Sequence, residues 1–104
     1  MSVEGKLRTG EKLALLSASG PSSNVTVSAG DTANVDLTIS VGVVSRILQN
    51  LGVKSISGLP VGVVIAGFTF PNTTTLRLVI YNPTTSAVTV TADSVSADVL
   101  VKAL

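Results

Sequence analysis

The chain has 104 residues, the size of one domain, and contains neither cysteine nor histidine. Seven Lys or Arg stand against six Asp or Glu, a formal net charge of +1; 45% of residues are hydrophobic and only 12% charged. This removes a disulfide framework, a thiolate metal site, the usual general base and the thiol nucleophile. The basic residues form no stripe, and one Tyr, two Phe and no Trp leave little to stack on bases or sugars, so nucleic acid is not an expected partner.

What remains is rich in β-formers and neutral hydroxyls: seventeen Val, five Ile and twenty-five Ser or Thr. A small domain leaves much of its surface in water, and here few ions keep copies apart. Self-association is the first expectation.

Five of the thirteen charges (Glu4, Lys6, Arg8, Glu11, Lys12) fall in the first twelve residues, with Gly5 and Gly10 between them. Residues 1–12 read as an outward-reaching arm, against the plainer reading of a frayed terminus. Residues 13–104 read as a single β-sandwich domain. No apolar leader opens "MSVEGKLRTG", so no signal peptide is expected. "KLALLSA" and "NVTVSA" read as strands separated by the turn cluster "SGPSS". Over 33–41 the alternation is cleanest, with Val35, Leu37, Ile39 and Val41 on one side and Asn34, Asp36, Thr38 and Ser40 on the other.

Over 43–51, Val44, Ile47, Leu48 and Leu51 recur at helical spacing and Gly52 follows as a stop, which predicts one short helix; a strand over 41–48 is the alternative. "GLPVGVVIAGFTF" (58–70) reads as a long apolar strand closed by Pro71-Asn72. Its apolar centre is too short for a spanning helix of about 20 residues, so no membrane partner is expected. In "TLRLVIYN" the inward set is Leu76, Leu78 and Ile80, and the outward set is Arg77, Val79 and Tyr81. Asn82-Pro83-Thr84-Thr85 makes a turn. After it the apolar phase changes from even (Val88, Val90) to odd (Val95, Val99, Val101), which requires a bulge or tight turn near Asp93-Ser94. The sum is an all-β, antiparallel, jelly-roll-like sandwich of seven or eight strands.

Chemistry is sparse. Serines have no base to activate them, and none of the four lysines sits in a recognisable motif. Asp31 with Asp36, or Asp93 with Asp98, are candidate carboxylate pairs, but turn or strand-face Asp is the plainer reading. Asp31, Asn34 and Asp36 lack the glycine, spacing and final Glu of a calcium loop. Gly58, Gly62 and Gly67 make no phosphate loop, and the Asn24 and Asn72 glycosylation patterns are what Thr-rich sequence yields by chance. Arg77, Val79 and Tyr81 are candidate interface residues because Arg and aromatic anchors are enriched at interfaces; packing within the chain is the alternative. Glu4, Lys6 and Arg8 join them as candidates on the arm.

In size, strand content and its arm over 1–12, the chain resembles the small head-decoration proteins of tailed viruses. That resemblance carries no residue roles. It implies a non-enzymatic structural protein in the virion, self-associating (a trimer by analogy) against a major capsid or neighbouring structural protein, with no cofactor and no metal. A pilus or surface-layer subunit at the cell exterior, using donor-strand contacts, is the second expectation. A carbohydrate-binding or adhesion module comes third, disfavoured by the shortage of aromatics.

Overall fold

The computed structural model of the chain describes residues 10–42 and 44–104. Among the described residues eight strands form: β1 (Lys12–Gly20), β2 (Val25–Val27), β3 (Thr32–Ile39), β4 (Ile47–Ser57), β5 (Val64–Asn72), β6 (Thr75–Tyr81), β7 (Val88–Val90) and β8 (Val95–Ala103). Six make one antiparallel sheet in the order β4-β8-β1-β3-β6-β5, and β2 pairs with β7 in a second. The protein is all-β, as expected of a sandwich or jelly-roll-like chain.

Period-two alternation places the core. Leu16 and Ala18 of β1, Val35, Leu37 and Ile39 of β3, Leu76, Leu78 and Ile80 of β6, and the odd residues Val95 to Ala103 of β8 share one face. Val27 and Val90 of the small sheet, paired with Val88 and Val25 respectively, cover part of that face. The predicted change of phase is a tight turn: Asp93 adopts φ 58, and the chain passes from the small sheet into the large one. Lys12, the last residue of the expected arm, belongs to β1 and pairs with Ala103; residues 1–9 of that arm lie outside the described residues.

The helix expected over 43–51 does not form; among the described residues Ile47 begins a strand instead. The reason lies in its pairing. Ile47, Asn50, Val53 and Ile56 oppose Ala103, Val101, Val99 and Ala97, so β4 advances three residues while β8 advances two. Leu48, Leu51 and Lys54 have no cross-strand partner and are the extra residues of three successive bulges. The apolar residues that suggested a helix are therefore of two kinds: Ile47 faces the core, while Leu48 and Leu51 are bulge residues whose added positions break the strand period.

On the opposite edge, β5 carries a bulge at Ala66, and Ile65 and Phe68 oppose Ile80 and Leu78. β5 is also shifted relative to the expected strand: residues 58–63 form the connection, and Pro71 lies within the strand. The edge strand tolerates that proline because it falls in the register shift between Thr69 and Asn72, where it has no cross-strand partner. Bulges increase twist and bend their strands, and here the two edges curl toward each other. They meet at one end, where Asn50 Nδ2 donates to the carbonyls of Asn72 and Thr73 at 3.3 and 3.2 Å.

Candidate functional site

The solvent face of the large sheet falls into three zones. A row of hydroxyls crosses five strands in register: Ser57, Ser96, Ser19, Thr38 and Thr75. Ser57 and Ser96 share a hydrogen bond at 3.0 Å, while Ser55 donates to Asp98 one row along at 3.3 Å. This is where the neutral hydroxyls of the sequence go: they cover a sheet face without charging it.

The second zone holds the outward residues of β6. Arg77 grips Asp36 on β3 with two parallel bonds, Nε to Oδ1 at 2.8 Å and the second guanidinium nitrogen to Oδ2 at 3.1 Å. The donated hydrogen bond, seconded by the charge of Arg77, holds the Asp36 carboxyl below its ordinary value against a smaller opposing effect of burial. Arg77 is raised in turn by that same bond and by the carboxylate charge. Val79 is half-buried opposite Asn34 and Gly67, and Tyr81 stands opposite Thr32 and Val64. Arg77, Val79 and Tyr81 therefore line one face as the alternation predicts, but the Arg77 fork is already engaged by a neighbouring strand. Glu4, Lys6 and Arg8 lie outside the described residues.

The third zone is an apolar ridge that periodicity alone did not single out. Leu15 stands directly opposite Leu100, with Leu13 two residues along, and these side chains are 47%, 38% and 52% exposed. Gly52 faces Leu100 from β4, and a Cβ built there would meet nothing within 4 Å. The missing side chain leaves a recess of about 230 Å³ lined by Leu15, Gly52, Val53, Lys54 and Leu100. One signal for it was present. In "LALLSA" both phases are apolar, so a strand with Leu16 and Ala18 inside must turn Leu13 and Leu15 outward.

The candidate carboxylates do not assemble into a site. Asp31 Oδ1 accepts from the Thr32 amide at 3.0 Å, Asp36 is held by Arg77, and Asp98 accepts from Ser55. No group of three or more His, Cys, Asp or Glu that could hold a metal occurs among the described residues. Asn24 and Asn72 serve local structure: Asn24 Oδ1 accepts from the Ala92 amide at 2.8 Å, and Asn72 Oδ1 accepts from the amide and hydroxyl of Thr74. The solvent face thus combines an exposed aliphatic ridge, a row of neutral hydroxyls and the Arg77–Asp36 pair.

Comparison with known proteins finds no matching family model, no matching curated relative and no matching solved structure.

Proposed function

We propose that this chain is a non-enzymatic structural protein that assembles with copies of itself on a larger particle, in its most concrete form a capsid decoration protein of a virion. One observation carries the reading: Leu15 and Leu100 stand exposed at the Gly52 recess, with exposed Leu13 two residues along β1, on a face that also carries a row of neutral hydroxyls. A contiguous exposed aliphatic surface marks an interaction site, and at about 25 cal/mol per Å² its burial in a neighbour is favourable. The low charge of the whole chain adds little repulsion between copies. The partners under this reading are further copies, with a trimer as the preferred state, and a major capsid or neighbouring structural protein.

Sedimentation across a wide concentration range tests it. The expected result is a mass above the 10.5 kDa protomer that responds to Leu15→Ser. A monomer throughout that range overturns the proposal.

A further inference from the structure

The curled large sheet has a window in its side. Among the described residues its two edge strands, β4 and β5, do not pair with each other. One end of the gap is tied by Asn50 to the carbonyls of Asn72 and Thr73. The other end is closed by the connection over 58–63, where Gly62 approaches the side chains of Thr84 and Val88. Between the two lies a groove of about 380 Å³, lined by Val53, Lys54, Ser55 and Ile56 on one lip and Ile65 and Phe68 on the other. Val53 and Ile56 are partly buried against the core. Ile65 and Phe68 stand opposite the buried Ile80 and Leu78, yet they are 42% and 46% exposed. Phe68 also meets Phe70, itself packed on the core, edge to face at 5.8 Å. The groove therefore opens onto the apolar interior of the curl.

Two features decide what suits it. The first is that its lips are poor templates for another strand. Strand addition needs a regular row of backbone donors and acceptors, whereas β4 carries bulge residues at Leu48, Leu51 and Lys54 and β5 carries one at Ala66. A strand running along the gap would also meet the Asn50 tie at one end and the 58–63 connection at the other. An alkyl chain entering from the side needs neither a ladder nor open ends.

The second feature is charge. Lys54 is the one charged residue lining the groove. It forms no ion pair among the described residues: Asp98, across from Ser55 on β8, accepts from the Ser55 hydroxyl, and Asp36 is held by Arg77. An apolar floor beside a single unpaired ammonium is complementary to an aliphatic chain that ends in a carboxylate. The volume falls within the roughly 300–1,000 Å³ of small-molecule sites, near the lower end.

We propose that the β4–β5 groove binds a straight-chain monocarboxylate of medium length, its alkyl chain on Val53, Ile56, Ile65 and Phe68 and its carboxylate on Lys54. The inference stands on the groove alone and does not depend on association through the Leu15–Leu100 ridge of the solvent face.

Calorimetric titration of the full chain with octanoate, decanoate and dodecanoate, each below its critical micelle concentration, tests it. Saturable binding of one molecule per chain is expected, tightening by up to about fourfold for each added methylene. Lys54→Glu should weaken decanoate about tenfold and leave decanol within about twofold, whereas Phe68→Ser should weaken both. Both substitutions replace exposed side chains, and an unchanged circular dichroism spectrum checks that the variants fold. No saturable uptake of any of the three acids, or decanoate binding that ignores both substitutions, overturns the site. Binding that responds to Phe68→Ser but not to Lys54→Glu overturns the carboxylate as its ligand class. Decanoate that dissociates an oligomer, with uptake falling as protein concentration rises, assigns the groove to a second copy and overturns the proposal as well.

Discussion

Asn82 donates from Nδ2 to the carbonyl of Val27 at 3.0 Å, tying the end of β6 in the large sheet to β2 in the small one. Asn82 is fully buried, and all of its side-chain capacity is used. Nδ2 also donates to Ser86 O at 2.8 Å, while Oδ1 accepts from the amide and hydroxyl of Thr84 at 3.0 and 2.6 Å. Its backbone bonds Gly30 and Asp31 as well, so one residue holds the junction between the sheets. Asn82→Ala takes this partner from the buried Val27 carbonyl and from the Thr84 amide, while Ser86 O keeps the Thr84 hydroxyl at 2.8 Å, and it should cost about 3 kcal/mol in chemical denaturation. Asn82→Asp keeps the accepting bonds but turns a carboxylate toward two carbonyl oxygens. Its destabilisation should exceed that of the alanine variant at neutral pH and ease on acidification, when a protonated carboxyl can again donate. A loss below about 1 kcal/mol for both variants would contradict this account.

The Asp36–Arg77 fork makes a prediction with a definite sign. The folded carboxyl titrates below its unfolded value, because Arg77 hydrogen-bonds and attracts the ionised form. Its contribution to stability is therefore present above the unfolded aspartate pKa and disappears as pH falls through the lower folded value. Both side chains are well exposed to solvent, so the stability effect should be small and screened by salt. A carbon-detected NMR titration should show the Asp36 midpoint below that of aspartate in the unfolded chain, and Arg77→Ala should move it upward. An unchanged midpoint in that variant would show that the fork does not hold in solution.

Strands with strict alternation were legible from sequence. Val35, Leu37 and Ile39 of β3 and Leu76, Leu78 and Ile80 of β6 are buried as their spacing requires, and the phase change at Asp93-Ser94 located the passage between sheets. The edge strands were only partly legible, β5 as a strand set too early at 58–70 and β4 as a helix, because bulges break the period on which such reading depends. In "ILQNLGVKSIS" the partner β8, far away in sequence, decides that Leu48, Leu51 and Lys54 are extra residues. The Leu15–Leu100 ridge was hidden for a related reason. Apolar residues at both phases of one strand do not reveal that their outward set meets another strand's outward leucine.

Gly58 should be intolerant of any side chain. It has φ 90, and a Cβ there would run into the backbone carbonyl of Ser94. The end of β4 thereby passes against the turn that leads into β8. Gly58→Ala carries both the left-handed backbone cost and a clash with main chain, together about 2–4 kcal/mol. Thermal melting should drop accordingly. Gly30→Ala is the control, since it shares a positive φ of 71 with open space around the new Cβ, and it should lose only the conformational part.

Gly52 offers the opposite case, a glycine whose replacement should spare the fold and harm the assembly. Its φ is not in the left-handed region and nothing lies within 4 Å of a built Cβ, so Gly52→Val meets no steric objection. Removing a strand glycine should leave the isolated fold unchanged or more stable by about 0.5–1 kcal/mol. The same valine fills the recess between Leu15, Leu100 and Lys54, where a neighbour's side chain would otherwise seat. Monomer melting that rises or holds, combined with sedimentation shifted toward the 10.5 kDa protomer, is the expected pair of results. Leu100→Ser should weaken association by removing attraction, whereas Gly52→Val should do so by blocking the seat. Agreement between the two places the contact at the ridge. Full association of Gly52→Val would move the contact off this face, and a destabilised fold would show that the recess is not open as described.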